Sequence, residues 1–364
     1  MSSKSKSALR VLVAGCGRMG GSHAKVYHSL PDFKVVGLVS RNASKDDLNR
    51  ELGGGIPVFS DYRQALETTK PDVVSINTYP DTHEEYAVRA FESGAHVFLE
   101  KPIAATVAGG RRVIEAAQRA KKKMVVGYVL RHHPTWIKFV EIARGLGKPL
   151  VMRMNLNQQS RAETWTVAKN LMKTSSPIVD CGVHYVDVMC QMTNSLPVRV
   201  SAIGARLSDE IAKDMYNYGQ LQVVFQDGSV GWYEAGWGPM VSETAYFVKD
   251  VFGPKGSVSI TAQNHSDARS DRFDAHARTD CLRVHHAAMD KNGAFVKQDE
   301  LLDMRDEPDH AEMCLREQQY LLHAIREDAD LTQHMTDALT SLRIVLAADE
   351  SVRTGRTVEL GIRN

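Results

Sequence analysis

The chain of 364 residues carries 43% hydrophobic and 24% charged side chains, an ordinary globular composition with length for about two domains. Its 45 basic and 44 acidic side chains leave a formal charge of +1, so no global field favours nucleic acid or an anionic membrane surface, and the expected partner is a small molecule. The 5 cysteines are scattered without C-x-x-C spacing, the first residues lack the apolar run of a secretory signal, and no stretch approaches the ~18 apolar residues of a membrane span, so the expected location is the cytoplasm.

In chain order, the apolar runs at residues 10–14, 34–39, 72–76, 96–99 and 124–127 read as parallel strands buried on both faces. Amphipathic patterns at 82–93 and 106–120 separate the later ones, which predicts repeated β-α-β and a doubly wound sheet. Directly after the first strand stands Gly15-Cys16-Gly17-Arg18-Met19-Gly20, a G-x-G-x-x-G that opens a helix running to about residue 30. The first glycine permits the tight turn, the second lets the backbone approach a pyrophosphate, and the third allows close packing of helix on strand. The helix N-terminus then offers unpaired N–H groups to the phosphates. Strand before and helix after make this a dinucleotide site.

At the end of the second strand, where NAD-preferring folds place an acid on the ribose 2′-hydroxyl, the chain has Ser40-Arg41-Asn42. A hydroxyl and a guanidinium suit a 2′-phosphate, so NADP(H) is favoured and NAD(H) is possible. A solvated loop is the plainer alternative, and Asp46 or Asp47 could still supply an acid. The fifth strand ends in Glu100-Lys101-Pro102, at the sheet edge where ligands bind in such folds. Lys101 could hold a substrate hydroxyl or exchange a proton with it, or simply reach into solvent.

After about residue 130, alternating segments at 151–156, 199–203, 221–225 and 230–232, with turn signals at 226–229 and 253–256, predict an antiparallel sheet. Helices are expected at about 178–192, 311–327 and 334–354, the last with Leu339, Leu342, Val345 and Leu346 on one face. The predicted architecture is an α/β Rossmann domain over residues 1–130 and an α+β domain over 131–364 with a large, mostly antiparallel open sheet for substrate binding and oligomerisation. Within the expected helix, the spacing of Asp180, His184 and Asp187 sets acid, imidazole and acid on one face. Imidazole titrates near neutrality and can take the proton of an alcohol as hydride leaves carbon. A capped helix with a satisfied histidine would produce the same spacing. No H-E-x-x-H or paired-cysteine motif is present, and no metal is expected.

Taken together these residues resemble the Gfo/Idh/MocA family of glucose-fructose oxidoreductases and inositol dehydrogenases. The resemblance runs from Val11 nearly to Leu360 and rests on Gly15 to Gly20, Glu100-Lys101-Pro102, Gly127-Tyr128-Val129-Leu130-Arg131 and Asp180-Cys181-Gly182-Val183-His184-Tyr185-Val186-Asp187. It implies an NAD(P)-dependent sugar or cyclitol oxidoreductase in which Lys101, Asp180 and His184 form the catalytic set, with the histidine as proton carrier. It also places Asn77, Thr78, His83 and Glu100 at the nicotinamide-side ribose, and Tyr128 and Arg131 where cofactor and substrate meet. Ser175-Ser176-Pro177 stands where many members have glycines. Trp165 and His310 are further substrate-binding candidates, the first because an indole can cover a sugar's apolar face.

The expected assembly is a homodimer or homotetramer through the open sheet face. Two other functions fit the same motifs: a glycoside-cleaving enzyme using transient redox with retained NAD(H), and a non-catalytic dinucleotide-binding sensor. If Arg41 reads a 2′-phosphate, Arg41→Ala weakens NADP(H) at least tenfold more than NAD(H), the ~1.5–3 kcal/mol of a hydrogen bond to a charged group; equal loss in parallel fluorescence titrations would remove that role.

Overall fold

The computed structural model describes residues 7–40, 45–242, 248–261 and 279–361. Its elements begin with β1 (Leu9–Ala14), α1 (Arg18–Ser29), β2 (Phe33–Val39), α2 (Lys45–Glu51), β3 (Val58–Phe59), α3 (Tyr62–Thr69), β4 (Val73–Ile76), α4 (Pro80–Glu92), β5 (His96–Leu99), α5 (Val107–Ala120) and β6 (Met124–Val126). A 3-10 turn (Val129–His132) leads to α6 (Pro134–Gly145), β7 (Val151–Gln159), α7 (Ala162–Leu171), α8 (Pro177–Asp180), α9 (Gly182–Thr193), β8 (Pro197–Ala205), β9 (Tyr218–Phe225) and β10 (Val230–Gly238). The remainder is β11 (Lys249–Gly253), β12 (Gly256–Thr261), β13 (Cys281–His286), β14 (Glu300–Asp303), α10 (His310–Arg326), α11 (Thr332–Thr354) and β15 (Val358–Glu359).

The chain divides into two compact units, Met1–Val129 with Asp309–Leu339, and Leu130–Pro308 with Thr340–Asn364. By contact, residues 309–339 group with the first unit although they follow the expected boundary near residue 130. The reason lies in α10, whose Leu321 and Ala324, with Leu331 beyond it, are buried in one apolar cluster with Val11, Val13, Tyr27 and Phe33. Periodicity reveals that a helix has an apolar stripe, but not which surface the stripe will cover.

In the first unit six strands lie in the order β3-β2-β1-β4-β5-β6, and all the pairings are parallel. This is the doubly wound sheet expected from the apolar runs, and its strand order reverses between β1 and β4, the place where such folds receive ligands. Val11 to Ala14 are wholly buried, as a strand covered on both faces requires. Two-residue β3 carries too short a pattern to be visible in sequence.

The loop after β1 is held by sterics. Gly15 has φ +88°, and a Cβ there would lie 2.6 Å from the Asn77 carbonyl oxygen. At Gly20 a Cβ would stand 1.7 Å from the Gly15 carbonyl oxygen, so α1 can approach the turn only with glycine at this position. Gly17 has nothing within 4 Å of where a Cβ would be, and it precedes α1 with no side-chain cap and no acidic residue in the first turn. A helix end of this kind, without a side-chain cap, suits an anion.

Among the described residues the second unit is built on nine strands in the order β14-β13-β12-β11-β7-β10-β9-β8-β15. Among these, β7 with β10 is parallel and the other pairings are antiparallel. One layer of the core runs from α6 through α9 to the sheet: Trp136 meets Tyr185 edge-on at 5.8 Å, and Tyr185 stacks on Tyr233 at 4.9 Å. The stripe expected on α11 is shifted, since Leu342 and Val345 are wholly buried but so are Ala338, Ser341, Ile344 and Ala348, while Leu339 and Leu346 are half-buried. Small residues let the helix come close, which a pattern of large apolar residues does not reveal.

Gly20→Ala must push α1 off β1 or distort the Gly15 turn. Expected is at least a tenfold loss of dinucleotide affinity with a lowered melting temperature; unchanged affinity in a fluorescence titration would show that the loop does not hold the ligand.

Candidate active site

The first unit gathers five strand-end turns at the carboxyl edge of its sheet. After β1 the N–H of Gly15 donates to the Val39 carbonyl at 2.9 Å, and the Cys16 thiol, buried, lies 3.5 Å from the same oxygen. Arg18 and Met19 are the first two residues of α1. After β2 the Ser40 N–H is bonded to Phe59 at 3.0 Å, while Arg41 lies outside the described residues. After β4 the N–H of Asn77 donates to Ala14 at 2.7 Å and its side-chain amide to the Ser75 carbonyl at 3.1 Å and hydroxyl at 3.0 Å. The Thr78 hydroxyl accepts from Thr82 at 2.7 Å.

Two of the expected ribose contacts are turned inward instead. His83 is wholly buried, with Nδ1 at 2.7 Å from the Pro102 carbonyl and Nε2 at 3.0 Å from that of Thr78. Burial lowers its pKa, the two carbonyls opposing the shift only in part. It ties the β4 turn to the β5 turn. Glu100, 8% exposed, has one carboxylate oxygen 3.0 Å from His23 Nε2, and the other accepts the Lys101 N–H at 3.2 Å. Burial alone would raise its pKa; the His23 hydrogen bond and the Lys101 charge more than offset this and hold Glu100 below the usual range. Lys101 follows, half-buried, and Tyr128 after β6 is wholly buried.

In the second unit the expected single helix across Asp180 and His184 is interrupted. Asp180 ends α8, Cys181 links the two helices, and His184 stands in the first turn of α9 with its N–H on the Cys181 carbonyl at 3.1 Å. The Ser176 hydroxyl caps α8, accepting from Val179 N–H at 3.2 Å, and donates to Asp349 at 2.6 Å, on which the Tyr216 hydroxyl also converges. Gly182 is required because a Cβ would come within 2.9 Å of the Tyr233 ring. His184 is 7% exposed and Asp180 half-buried.

Asp187 does not complete a catalytic face. Its carboxylate, 1% exposed, takes two donors from Arg131, Nε at 2.8 Å and Nη2 at 2.6 Å, with Gln191 at 3.0 Å and Ser341 at 3.3 Å. Arg131, placed at the substrate by sequence, thus anchors the 3-10 turn to α9 through a bidentate pair. Trp165 stands on α7, 6% exposed, packed with Ala168, Met172, Ile211 and Trp237, its N–H donated to Glu210 at 3.0 Å. So placed, the indole fills a core and offers no open face to a sugar. His310 opens α10 in the first unit, with Nε2 at 3.6 Å from the Cys314 thiol.

Sequence reasoning missed His23, Tyr27, Glu317 and Gln318, all buried around Glu100. His23 carried a signal, a polar residue at the position three past Gly20 where the helix faces the sheet; glutamate and glutamine on α10 read as solvated.

Residues 9–128 match the oxidoreductase family with an NAD-binding Rossmann fold, and residues 141–360 match its C-terminal alpha/beta domain. The chain belongs to the GFO/IDH/MocA oxidoreductase family. Family members similar to it include inositol 2-dehydrogenase of Paracoccus denitrificans, 28% identical over 50% of this chain and 53% of that protein. Several such matches span only about half of each relative, whereas scyllo-inositol 2-dehydrogenase (NAD(+)) of Bacillus subtilis is 25% identical over 98% of this chain and 97% of its own. Among solved structures, scyllo-inositol dehydrogenase of Lactobacillus casei with NAD(H) and scyllo-inositol shares the fold at TM-score 0.75 and 18% identity, covering 97% of this chain and 99% of that one. No helix among the described residues is long and apolar enough to cross a membrane.

Arg131→Met leaves the Asp187 carboxylate buried beside Gln191 and Ser341 alone. Unfolding free energy should fall by about 3–5 kcal/mol in urea titrations; a loss below ~1 kcal/mol would show that the pair does not anchor the turn.

Proposed function

We propose that the chain is a nicotinamide-dinucleotide-dependent dehydrogenase or reductase that transfers hydride between the dinucleotide and a secondary alcohol or ketone of a sugar, sugar derivative or cyclitol. The loop from Gly15 to Gly20 carries this reading: a turn at φ +88°, an uncapped helix N-terminus and open space at Gly17 form a cradle for a pyrophosphate. The names of the inositol and glucoside dehydrogenases to which the chain is similar support the substrate class.

The backbone of Gly15 to Gly20 would hold the pyrophosphate, Asn77 and Thr78 would border the nicotinamide-side ribose, and Ser40 and Arg41 the adenosine ribose. When bound, the nicotinamide ring supplies the hydride acceptor or donor. Ser40 and Arg41, with no acid in that slot, support use of NADP(H); the cofactors named for the Bacillus and Lactobacillus relatives support NAD(H).

The remaining work falls to this chain's side chains. The His184 imidazole takes the hydroxyl proton during oxidation, on its free-base form, and returns it during reduction. The Lys101 ammonium donates hydrogen bonds to the substrate oxygen and stabilises negative charge developing on it. Asp180, at the end of α8, accepts a hydrogen bond from a substrate hydroxyl.

A panel of sugars, cyclitols and sugar acids, assayed with NAD and NADP in parallel for accumulation of reduced cofactor, tests the reaction class. Conversion without accumulation would replace it by transient redox on a retained cofactor. His184→Ala should lower kcat by about 10²–10⁴-fold while leaving dinucleotide affinity unchanged; near-normal turnover would remove the histidine from the mechanism.

A further inference from the structure

A polar chain crosses the interior of the first unit. The Tyr27 hydroxyl donates to the Gln318 side-chain oxygen, and the Gln318 nitrogen lies 3.0 Å from His23 Nδ1. His23 Nε2 lies 3.0 Å from Glu100 Oε1, and Glu100 Oε2 accepts the N–H of Lys101 at 3.2 Å. At its other end Tyr27 is bonded to Ser75, whose hydroxyl accepts from Asn77 at 3.0 Å. Tyr27, His23, Ser75 and Gln318 are all wholly buried.

The direction of these bonds is chemically consistent. A side-chain amide nitrogen only donates, so His23 Nδ1 accepts, the ring proton sits on Nε2, and Nε2–H donates to the Glu100 carboxylate. One neutral imidazole thus satisfies a buried anion and an amide together, which matters because an unpaired buried carboxylate is costly. The chain joins Asn77, at the end of β4, to Lys101, at the end of β5, through α1 and α10.

We propose that His23, Tyr27 and Gln318 are positioning residues that lock Glu100, and with it the main chain of Lys101, against the end of β4. This rests on the reading of Lys101 as a substrate-binding residue. Gln318 comes from α10, so a helix more than two hundred residues downstream completes the dinucleotide-binding unit.

Glu317 beside it takes a different state. It is 2% exposed, its Oε1 has no hydrogen-bond partner among the described residues, and burial followed by the Glu100 charge raises its pKa well above the carboxylate range. The interior therefore holds one ionised and one protonated carboxyl. The groups facing Glu100 are His23 on α1, His83 on α4, Cys314 and Glu317 on α10, and its neighbour Lys101.

His23, Cys314 and Glu317 also present ligand atoms within 4.8 Å of one another, a spacing that could hold a cation. Their bonding favours the proton network. Both His23 nitrogens are engaged, and burial, joined by the Glu100 charge, pushes the Cys314 thiol up, away from the thiolate a metal requires.

Gln318→Met, close in volume and without a donor, and Glu317→Gln, the neutral isostere of the protonated acid, separate the possibilities. Expected for Gln318→Met are a kcat about tenfold lower, a dinucleotide KM within about twofold, and faster amide exchange at Lys101 in protein that is still folded. Glu317→Gln should keep kcat within about twofold. Slow Lys101 exchange and unchanged kcat in Gln318→Met, or a tenfold loss in Glu317→Gln, would overturn the proposal. So would stoichiometric zinc by elemental analysis that is lost in Cys314→Ser. Histidine ¹⁵N spectra give a readout independent of turnover: a proton on Nε2 of His23 is expected, and one on Nδ1 would overturn the assignment even if no polyol is oxidised. A wild type inactive on the whole panel defeats the proposed reaction and leaves the exchange and ¹⁵N results to decide the positioning role.

Discussion

Helix α1 leaves the end of β1 so sharply that a Cβ on Gly20 would lie 1.7 Å from the Gly15 carbonyl oxygen. That absence of a side chain is the constraint from which the first unit follows. It brings the helix N-terminus to the sheet edge without a side-chain cap, and it carries His23 and Tyr27 down into the interior about one and two turns further on. A helix displaced by a methyl group would lose both the anion cradle and the partner of Glu100. The stereochemistry of one turn and the electrostatics of a buried carboxylate therefore have a common origin.

Both units tether a functional turn with a carboxylate that is taken out of water and fully bonded. In the first, Glu100 accepts from His23 and from the Lys101 main chain; in the second, Asp187 accepts from Arg131, Gln191 and Ser341. Neither arrangement need add much net stability, because desolvation opposes the attraction. Their effect is geometric. A buried charge tolerates few positions, so the turn that carries it is held more narrowly than apolar packing alone would hold it. The hydroxyls of Ser176 and Tyr216 on Asp349 do comparable work for α8, where the chain has no glycine to shape the turn before Asp180.

The assignments that changed between sequence and structure share a cause. Arg131, His83 and Glu100 are polar residues that the family resemblance set beside a ligand. In each case another protein group at long sequence separation took the hydrogen bonds: Asp187 for Arg131, Pro102 for His83, His23 for Glu100. Trp165 differs only in being apolar as well. Its indole face was filled by Ile211 and Trp237 before any sugar could use it.

Local chemistry was legible wherever one stretch of chain contained its own reason. The buried strands, the glycine spacing of residues 15 to 20 and the placement of Lys101 at a strand end needed no distant partner, and each is in place. The break between α8 and α9 was hidden, because Cys181 keeps a helical φ of −93° and ψ of −36° and leaves the spacing of Asp180 and His184 almost unaltered. The return of α10 to the first unit, the tautomer of His23, and the choice between an ionised Glu100 and a protonated Glu317 were decided only by tertiary structure. A charge state in a protein interior depends on what surrounds it from every side, and for Glu100 those surroundings come from α1, α4 and α10 together.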